Sequence, residues 1–249
     1  MVDPGDAARR AFSRALLDEI GHEFRTPLSS ILGHQELLRE GILGELDGKV
    51  AGAVDRIGVA ALQLTHLVNG AVDLAGLALG EAPQPDAEPV SLAHVNAAAE
   101  AYARAAAGEN GDLQIDAGAE SVLVKTDPRR LDRVLVLATT AVLREVPAGS
   151  LSISLLDAPD DDAGSVRASW SGPGGAWLWV PEAAPDPAAV LSAALLAVSG
   201  VEGERLPGSW LRLAVAAVTA ALIGGTLRFR EGADASRLEL LLPVGTPPV

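Results

Sequence analysis

Cysteine is absent from the 249-residue chain, which excludes disulfides and thiolate metal sites and fits a reducing compartment. Aromatic residues make up only 3% and methionine occurs once, so the 49% hydrophobic content rests on alanine, leucine and valine. Long apolar runs are missing too. No window reaches the roughly 18–20 apolar residues of a membrane span; residues 211–225 come nearest and are interrupted by Arg212 and Thr219. The first residues carry acids and no apolar core with a cleavage pattern, so nothing there marks export. Positive charge is scarce: 19 Lys and Arg against 33 Asp and Glu leave a net charge of −14. Without a basic stripe to offset it, that balance argues against a nucleic-acid partner. Of four histidines, His34, His66 and His94 are isolated and lack metal-ligand spacing. A soluble, acidic, cytoplasmic protein with no membrane span and no resident metal is expected.

What is present first is helical periodicity. Leu17, Ile20, Phe24, Leu28, Ile31, Leu38 and Ile42 recur at three- and four-residue steps, interrupted once at Gln35. That spacing predicts an amphipathic helix with a coiled-coil-like seam. A glycine-rich turn over 40–49 separates it from a second pattern: Val50, Val54, Ile57, Ala61, Leu64, Leu67 or Val68, Ala71 and Leu74. Two long helices joined by a short turn make an antiparallel hairpin. One hairpin cannot bury both seams, so a second copy is expected to complete a four-helix bundle, making the protein a homodimer.

The expected organisation is a helical hairpin over 1–80, a Pro- and acid-rich linker over 81–90, and an α/β domain over 91–249. In the last, residues 91–107 read as a helix and 113–125 as one or two strands. Residues 127–146 read as a helix with Asp127 as N-cap and Pro128 in the first turn. Two alternating segments flank the acidic turn APDDDAG and form a hairpin. That turn is a solvated tip or, less simply, a cation site. Two further helices and a closing pair of strands complete an α+β sandwich with a mostly antiparallel sheet.

The chemistry concentrates at residues 16–38, LLDEIGHEFRTPLSSILGHQELL. At 100° per residue, His22 is displaced by about 200° from Ile20, away from the seam and toward solvent. Thr26 lies one turn along the same face, and Glu23 flanks it. A neutral imidazole is a good nucleophile near neutral pH, and a carboxylate that accepts one ring N–H raises the basicity of the other nitrogen. A hydroxyl one turn away would orient a water or a phosphoryl oxygen. Pro27 removes one helical hydrogen bond and frees the Glu23 carbonyl, so the helix can bend below the imidazole. By spacing alone the same residues also fit an ordinary polar helical face. Arg9, Arg10 and Arg14 precede that face and would either steer an acidic partner or simply be solvated.

The segment GHEFRTPLSSILGHQELL resembles the H-box of the dimerisation and histidine-phosphotransfer domain of sensor histidine kinases. His22, Glu23, Arg25, Thr26, Pro27 and Leu28 all match in register, and REGILGELD resembles the hairpin turn that follows. The resemblance implies that His22 accepts a phosphoryl group and that Glu23 is the general base. It also implies that Thr26 serves water-directed dephosphorylation of a partner, with Arg25 and Pro27 in support. The partner would be a response-regulator receiver domain, which would bring its own aspartate and Mg²⁺.

More weakly, residues 127–154 and 211–244 are similar to the ATP-binding domain that follows in that family, although its chemical boxes are changed. Leu137 and Ala141 stand where the family has Mg²⁺-ligating asparagines. SWSGPGGA keeps Gly172 and Gly174 but places Trp170 at the adenine-binding aspartate. PGSWLRL keeps Gly208, while Trp210 and Arg212 occupy the next two glycine positions of the phosphate loop. Trp170 and Trp210, with Trp177 and Trp179, would plug the former cavity or pack as plain core; either way poor ATP binding is expected, and no cofactor. Three functions therefore stand open. One is a phosphorelay protein, a pseudokinase passing phosphoryl groups between His22 and a receiver aspartate without its own ATP, and also draining phosphate through Thr26. Another is a working sensor kinase, using ATP and Mg²⁺ through diverged boxes. The third is a non-enzymatic dimeric scaffold.

Overall fold

The structure, a computed structural model, describes residues 4–81, 84–108, 113–116, 123–157, 165–175, 180, 186–199 and 209–243. They fall into two compact units, Met1–Pro83 and Gln84–Val249.

The first unit is a helical hairpin of α1 (Pro4–Arg39) and α2 (Gly48–Ala78). Glycines at positive φ, Gly41 at 72° and Gly44 at 116°, turn the chain out of α1. Asp47 then caps α2, its carboxylate accepting from the Val50 N–H at 2.9 Å. The α1 helix continues through Pro27, so the proline is accommodated inside the helix rather than ending it. The helices approach closely at Gly58, where a Cβ would stand 2.7 Å from the Gln35 side chain. They also meet at Gly21, packed on Val72.

The seam expected on α1 divides between two faces. Only Leu28 is buried, against α2; Ile20, Phe24, Ile31 and Ile42 stay exposed, together with Phe12 and Leu16. On α2, Val54 and Ala61 are buried while Val50, Ile57 and Leu64, seven residues apart, are exposed. An ordinary solvated helix does not keep a heptad row of large aliphatics in water. The inner stripe joins the two helices of one chain, and the outer stripe is the half of a bundle core that a single hairpin leaves uncovered. Among the described residues α2 is also the one helix long and apolar enough, by length and composition, to cross a membrane. The sequence reading passed over it because alanines and glycines dilute its apolar residues.

The second unit is a layer of helices on a five-stranded sheet. The sheet order is β2 (Gln114–Asp116), β4 (Ser152–Asp157), β5 (Ser165–Pro173), β7 (Ala235–Pro243), β6 (Thr226–Arg230). Among the described residues only the β2–β4 pair is parallel. A separate ribbon pairs β1 (Glu88–Ser91) with β3 (Leu123–Thr126). This corrects the linker expected over 81–90, because residues 88–90 belong to β1. Pro89 hid the strand from sequence reading, although proline is tolerated in an edge strand. Val90 is the residue of β1 that turns inward.

Four helices, α3 (Leu92–Ala107), α4 (Pro128–Glu145), α5 (Pro187–Ser199) and α6 (Trp210–Leu222), complete the unit. The α4 helix is the hub. Asp127 caps it, accepting from the Arg129 and Arg130 N–H groups at 3.1 Å each, and Pro128 opens its first turn. Every residue from Arg133 to Val142 is buried, so α4 is covered on all sides rather than along one stripe. Val166, Ala168 and Trp170 of β5 and Leu238, Leu240 and Leu242 of β7 alternate into the core. The helical hairpin followed by a mostly antiparallel α/β layer is the fold class expected from the sequence.

Candidate functional site

The face that carries His22 lies midway along α1. Gly21 and Leu28, seven residues apart, are buried toward α2, and the intervening His22, Glu23, Phe24, Arg25, Thr26 and Pro27 are exposed. Thr26 Oγ1 donates to the His22 backbone carbonyl at 3.2 Å. This bond holds the threonine against the turn that carries the imidazole. Its lone pairs remain able to accept from a water. Adjacent side chains on a helix do not face each other. Accordingly, the His22 ring and the Glu23 carboxylate share no hydrogen bond. Catalytic hydrogen bonds of this kind often tighten only in the productive complex.

Arg25 ties the site to the second helix: its Nε donates to Asn69 Oδ1 at 2.7 Å. Asn69 was not singled out by sequence reading, since its role exists only once the helices are antiparallel. Arg14, further up α1, pairs with Asp18 at 3.0 Å and with Glu81 beyond the end of α2. Its neighbouring carboxylates raise its pKa further above the ordinary guanidinium value, the Asp18 hydrogen bond being the largest cause. It is therefore an intramolecular brace. His34 is exposed, with Nδ1–H donating to the Ser30 carbonyl at 2.7 Å; His94 is exposed and His66 is buried in α2.

In the second unit, three of the positions that the resemblance aligned with nucleotide boxes, Leu137, Ala141 and Trp170, are built as core. Leu137 and Ala141 are 0% exposed. Ser209, immediately before α6, donates its Oγ to Glu145 Oε1 at 2.6 Å and lies 3.2 Å from the Ala141 carbonyl. This contact pins the start of α6 on α4 at the second of those positions. Trp170 is also 0% exposed; its indole Nε1–H donates to Thr139 Oγ1 at 3.0 Å. The indole thus fills space between the sheet and α4 with its polar atom satisfied.

Gly172 is buried in β5 opposite Ser236. Gly174 is required by packing: a Cβ there would stand 2.0 Å from the Ala233 carbonyl oxygen in the β6–β7 turn. Gly174 therefore has a structural reason that involves no phosphate. Trp210 forms the first turn of α6 and is half-buried. Arg212, within the same helix, has its pKa lowered by burial and, second, by the neighbouring Arg144. Gly208, Trp177, Trp179 and the whole APDDDAG turn lie outside the described residues. Among the described residues, no three His, Asp or Glu side chains gather as a metal site.

The described residues thus place an exposed histidine box on a helical hairpin, followed in the chain by an α/β layer. The profile of the His Kinase A (phospho-acceptor) domain matches residues 13–78. The chain is 43% identical over 91 residues to the sensor histidine kinase AruS of Pseudomonas aeruginosa, covering 36% of this chain and 8% of AruS. It is 30% identical over 122 residues to the probable sensor histidine kinase TcrY of Mycobacterium tuberculosis, covering 49% of this chain and 25% of TcrY. The chain thus spans a quarter or less of these curated relatives.

Its fold is shared with full-length ShkA, solved in complex with AMPPNP, at TM-score 0.53 and 23% identity over 94% of this chain and 47% of that one. It is also shared with the histidine kinase AdeS of Acinetobacter baumannii, at TM-score 0.50 and 18% identity over 90% and 98%. Residues 13–78 thus match a HisKA phospho-acceptor domain, and over most of its length the chain shares the fold of solved histidine kinases. A HisKA domain implies dimerisation, in keeping with the uncovered aliphatic row on the hairpin.

Proposed function

We propose that this protein is a phosphorelay intermediate that exchanges phosphoryl groups between His22 and the aspartate of a response-regulator receiver domain, without using ATP itself. The observation that carries the reading is the fate of α4. Its two positions matching the Mg²⁺-ligating asparagines are aliphatic, fully buried and packed against α6. Losing a buried hydrogen-bonding partner typically costs about 10⁴-fold in discrimination. Losing the metal's charge stabilisation costs several kcal/mol more. The histidine box meanwhile remains exposed and complete.

In the transfer, a neutral His22 ring nitrogen attacks the phosphorus of the receiver's aspartyl phosphate. A P–N bond forms as the P–O bond to the aspartate breaks, and the carboxylate leaves with the electron pair. The proton on the other ring nitrogen passes to Glu23, whose carboxylate turns toward the ring only in the complex with the receiver. Thr26, already fixed on the His22 carbonyl, positions a water for hydrolysis of the receiver's phosphate. Mg²⁺ in either reaction belongs to the receiver, and a cytoplasmic location follows from that partner.

Titration with a fluorescent ATP analogue and Mg²⁺ tests the central point, with no saturable binding expected into the millimolar range. Incubation with labelled receiver phosphate should label the wild type on histidine and leave His22→Ala blank. Acid-labile phosphate appearing on His22 from ATP would establish the working-kinase alternative instead. Partner signalling unchanged in His22→Ala would leave only a scaffold.

A further inference from the structure

We infer that the outer face of the five-stranded sheet is a docking surface for an acidic protein segment, held by an arginine array that Glu239 organises. The cross-strand register places three rows side by side: Arg167–Leu241–Thr226, Ser169–Glu239–Arg228 and Ser171–Arg237–Arg230. Strands lie about 4.8 Å apart and same-face residues about 6.8 Å apart along each strand, so four guanidiniums ring one carboxylate. The opposite face of these strands is the hydrophobic core, and the arginines stand on the face away from it.

Glu239 is 4% exposed, an uncommon state for a carboxylate on an outer sheet face. Its Oε2 accepts from Arg230 Nε at 2.6 Å, while Oε1 lies 3.8 Å from Nη1 of both Arg167 and Arg237. Arg237 Nε donates to Ser171 Oγ at 3.0 Å. The Nε edges of Arg230 and Arg237 are thus occupied, while their side chains remain 61% and 49% exposed. Arg228 sits directly opposite Glu239 and makes no hydrogen bond or ion pair among the described residues. Arg230 and Arg237 are directly opposite each other, a like-charge pair that destabilises a sheet unless something gains from it.

Asp157 lies opposite Arg167 on the neighbouring strand, so four arginines stand against two carboxylates in these cross-strand pairs and leave a net positive charge there, on a chain whose overall net charge is −14. Guanidinium forks match carboxylates in bidentate geometry. Carboxylates one helical turn apart, about 5.4 Å, or two residues apart in an extended segment would meet neighbouring forks. Nucleic acid fits less well. No aromatic residue lies in these three rows for bases to stack on, and a long polyanion would cross the acidic remainder of the surface. A short acidic segment touches the patch alone, within about one Debye length of it.

The test uses the full-length protein, fluorescent poly-L-glutamate and a fluorescent DNA duplex of similar length, followed by anisotropy. Wild type should bind poly-L-glutamate more tightly than DNA, losing about tenfold in affinity between about 50 and about 300 mM salt. Arg228→Glu should bind it about tenfold more weakly at low salt, with its circular dichroism and His22 labelling unchanged. Arg237→Gln, which removes charge without adding any, should fall between the two. The proposal is overturned if wild type does not bind poly-L-glutamate, if DNA binds as well or better, or if the folded Arg228→Glu protein binds it as wild type does.

Discussion

The imidazole of His22 and the indole of Trp170 show how one sequence assigns opposite fates to polar chemistry. His22 stays in water on a helix whose buried neighbours, Gly21 and Leu28, turn to the other side. Truncating it should therefore leave stability within about 0.5 kcal/mol while abolishing phosphohistidine; urea unfolding and acid-labile label on one preparation check both outcomes. Trp170 is the reverse case. Trp170→Ala should cost about 3–5 kcal/mol through the cavity it opens and the lost bond to Thr139. Restoring Asn at Leu137 and Ala141 should not restore ATP binding. Each amide would enter a core position with its polar atoms lacking assured partners, at about 1–3 kcal/mol per site. All four tryptophans lie in the second unit, so intrinsic fluorescence follows its unfolding separately from the hairpin. An ATP signal in the double Asn variant would show that the pocket survives beneath those side chains.

At the scale of elements, the capping of α4 connects local chemistry to the core. Asp127 accepts from two helical N–H groups, accepts from the Asp86 N–H at 3.1 Å, and lies 3.7 Å from the buried Arg130 guanidinium. Asp127→Ala should lower the stability of the second unit by about 2 kcal/mol, the upper end of N-cap losses, read as an earlier tryptophan-fluorescence midpoint in urea. Gly174→Ala should unfold it earlier too, since the obstruction is the backbone carbonyl of Ala233 rather than a side chain that can swing away.

These elements also show what sequence can carry. The Asp127–Pro128 start of α4, the hairpin helices and the H-box are written in local spacing, and each was legible. Strand β1 was not, because Pro89 masks a pairing supplied by a segment more than 30 residues further on. The division of the α1 seam was not legible either: a three–four pattern marks apolar positions but not which neighbour covers each. The Ser209–Glu145 and Arg25–Asn69 contacts arise only from tertiary juxtaposition.

At the scale of the whole molecule, the hairpin's uncovered row decides what the functional species is. Val50, Ile57 and Leu64 are 43%, 52% and 45% exposed, and Phe24 and Ile31 are similarly open on α1. A cavity of about 260 Å³ lined by Ile31, His34, Leu38, Val54 and Ile57 continues that row toward the turn. Each large aliphatic fully buried is worth about 1.5–3 kcal/mol, so a symmetric partner that covers this row on both chains gains enough to offset the entropy of association. Ile57→Asp should therefore convert a dimer to a monomer in size-exclusion chromatography with light scattering. It should do so without unfolding the second unit, whose fluorescence midpoint is the control. His22 labelling by receiver phosphate separates two models of the relay in that monomer. If the receiver reads only the α1 face of one hairpin, monomer and dimer should accept label at similar rates per histidine. If it grips α1 together with the neighbouring chain, the monomer should slow by about tenfold or more while His22 itself remains intact. The second outcome is expected, because an exposed single helix face held by Arg25 and Asn69 alone offers a receiver too little surface for a stable encounter.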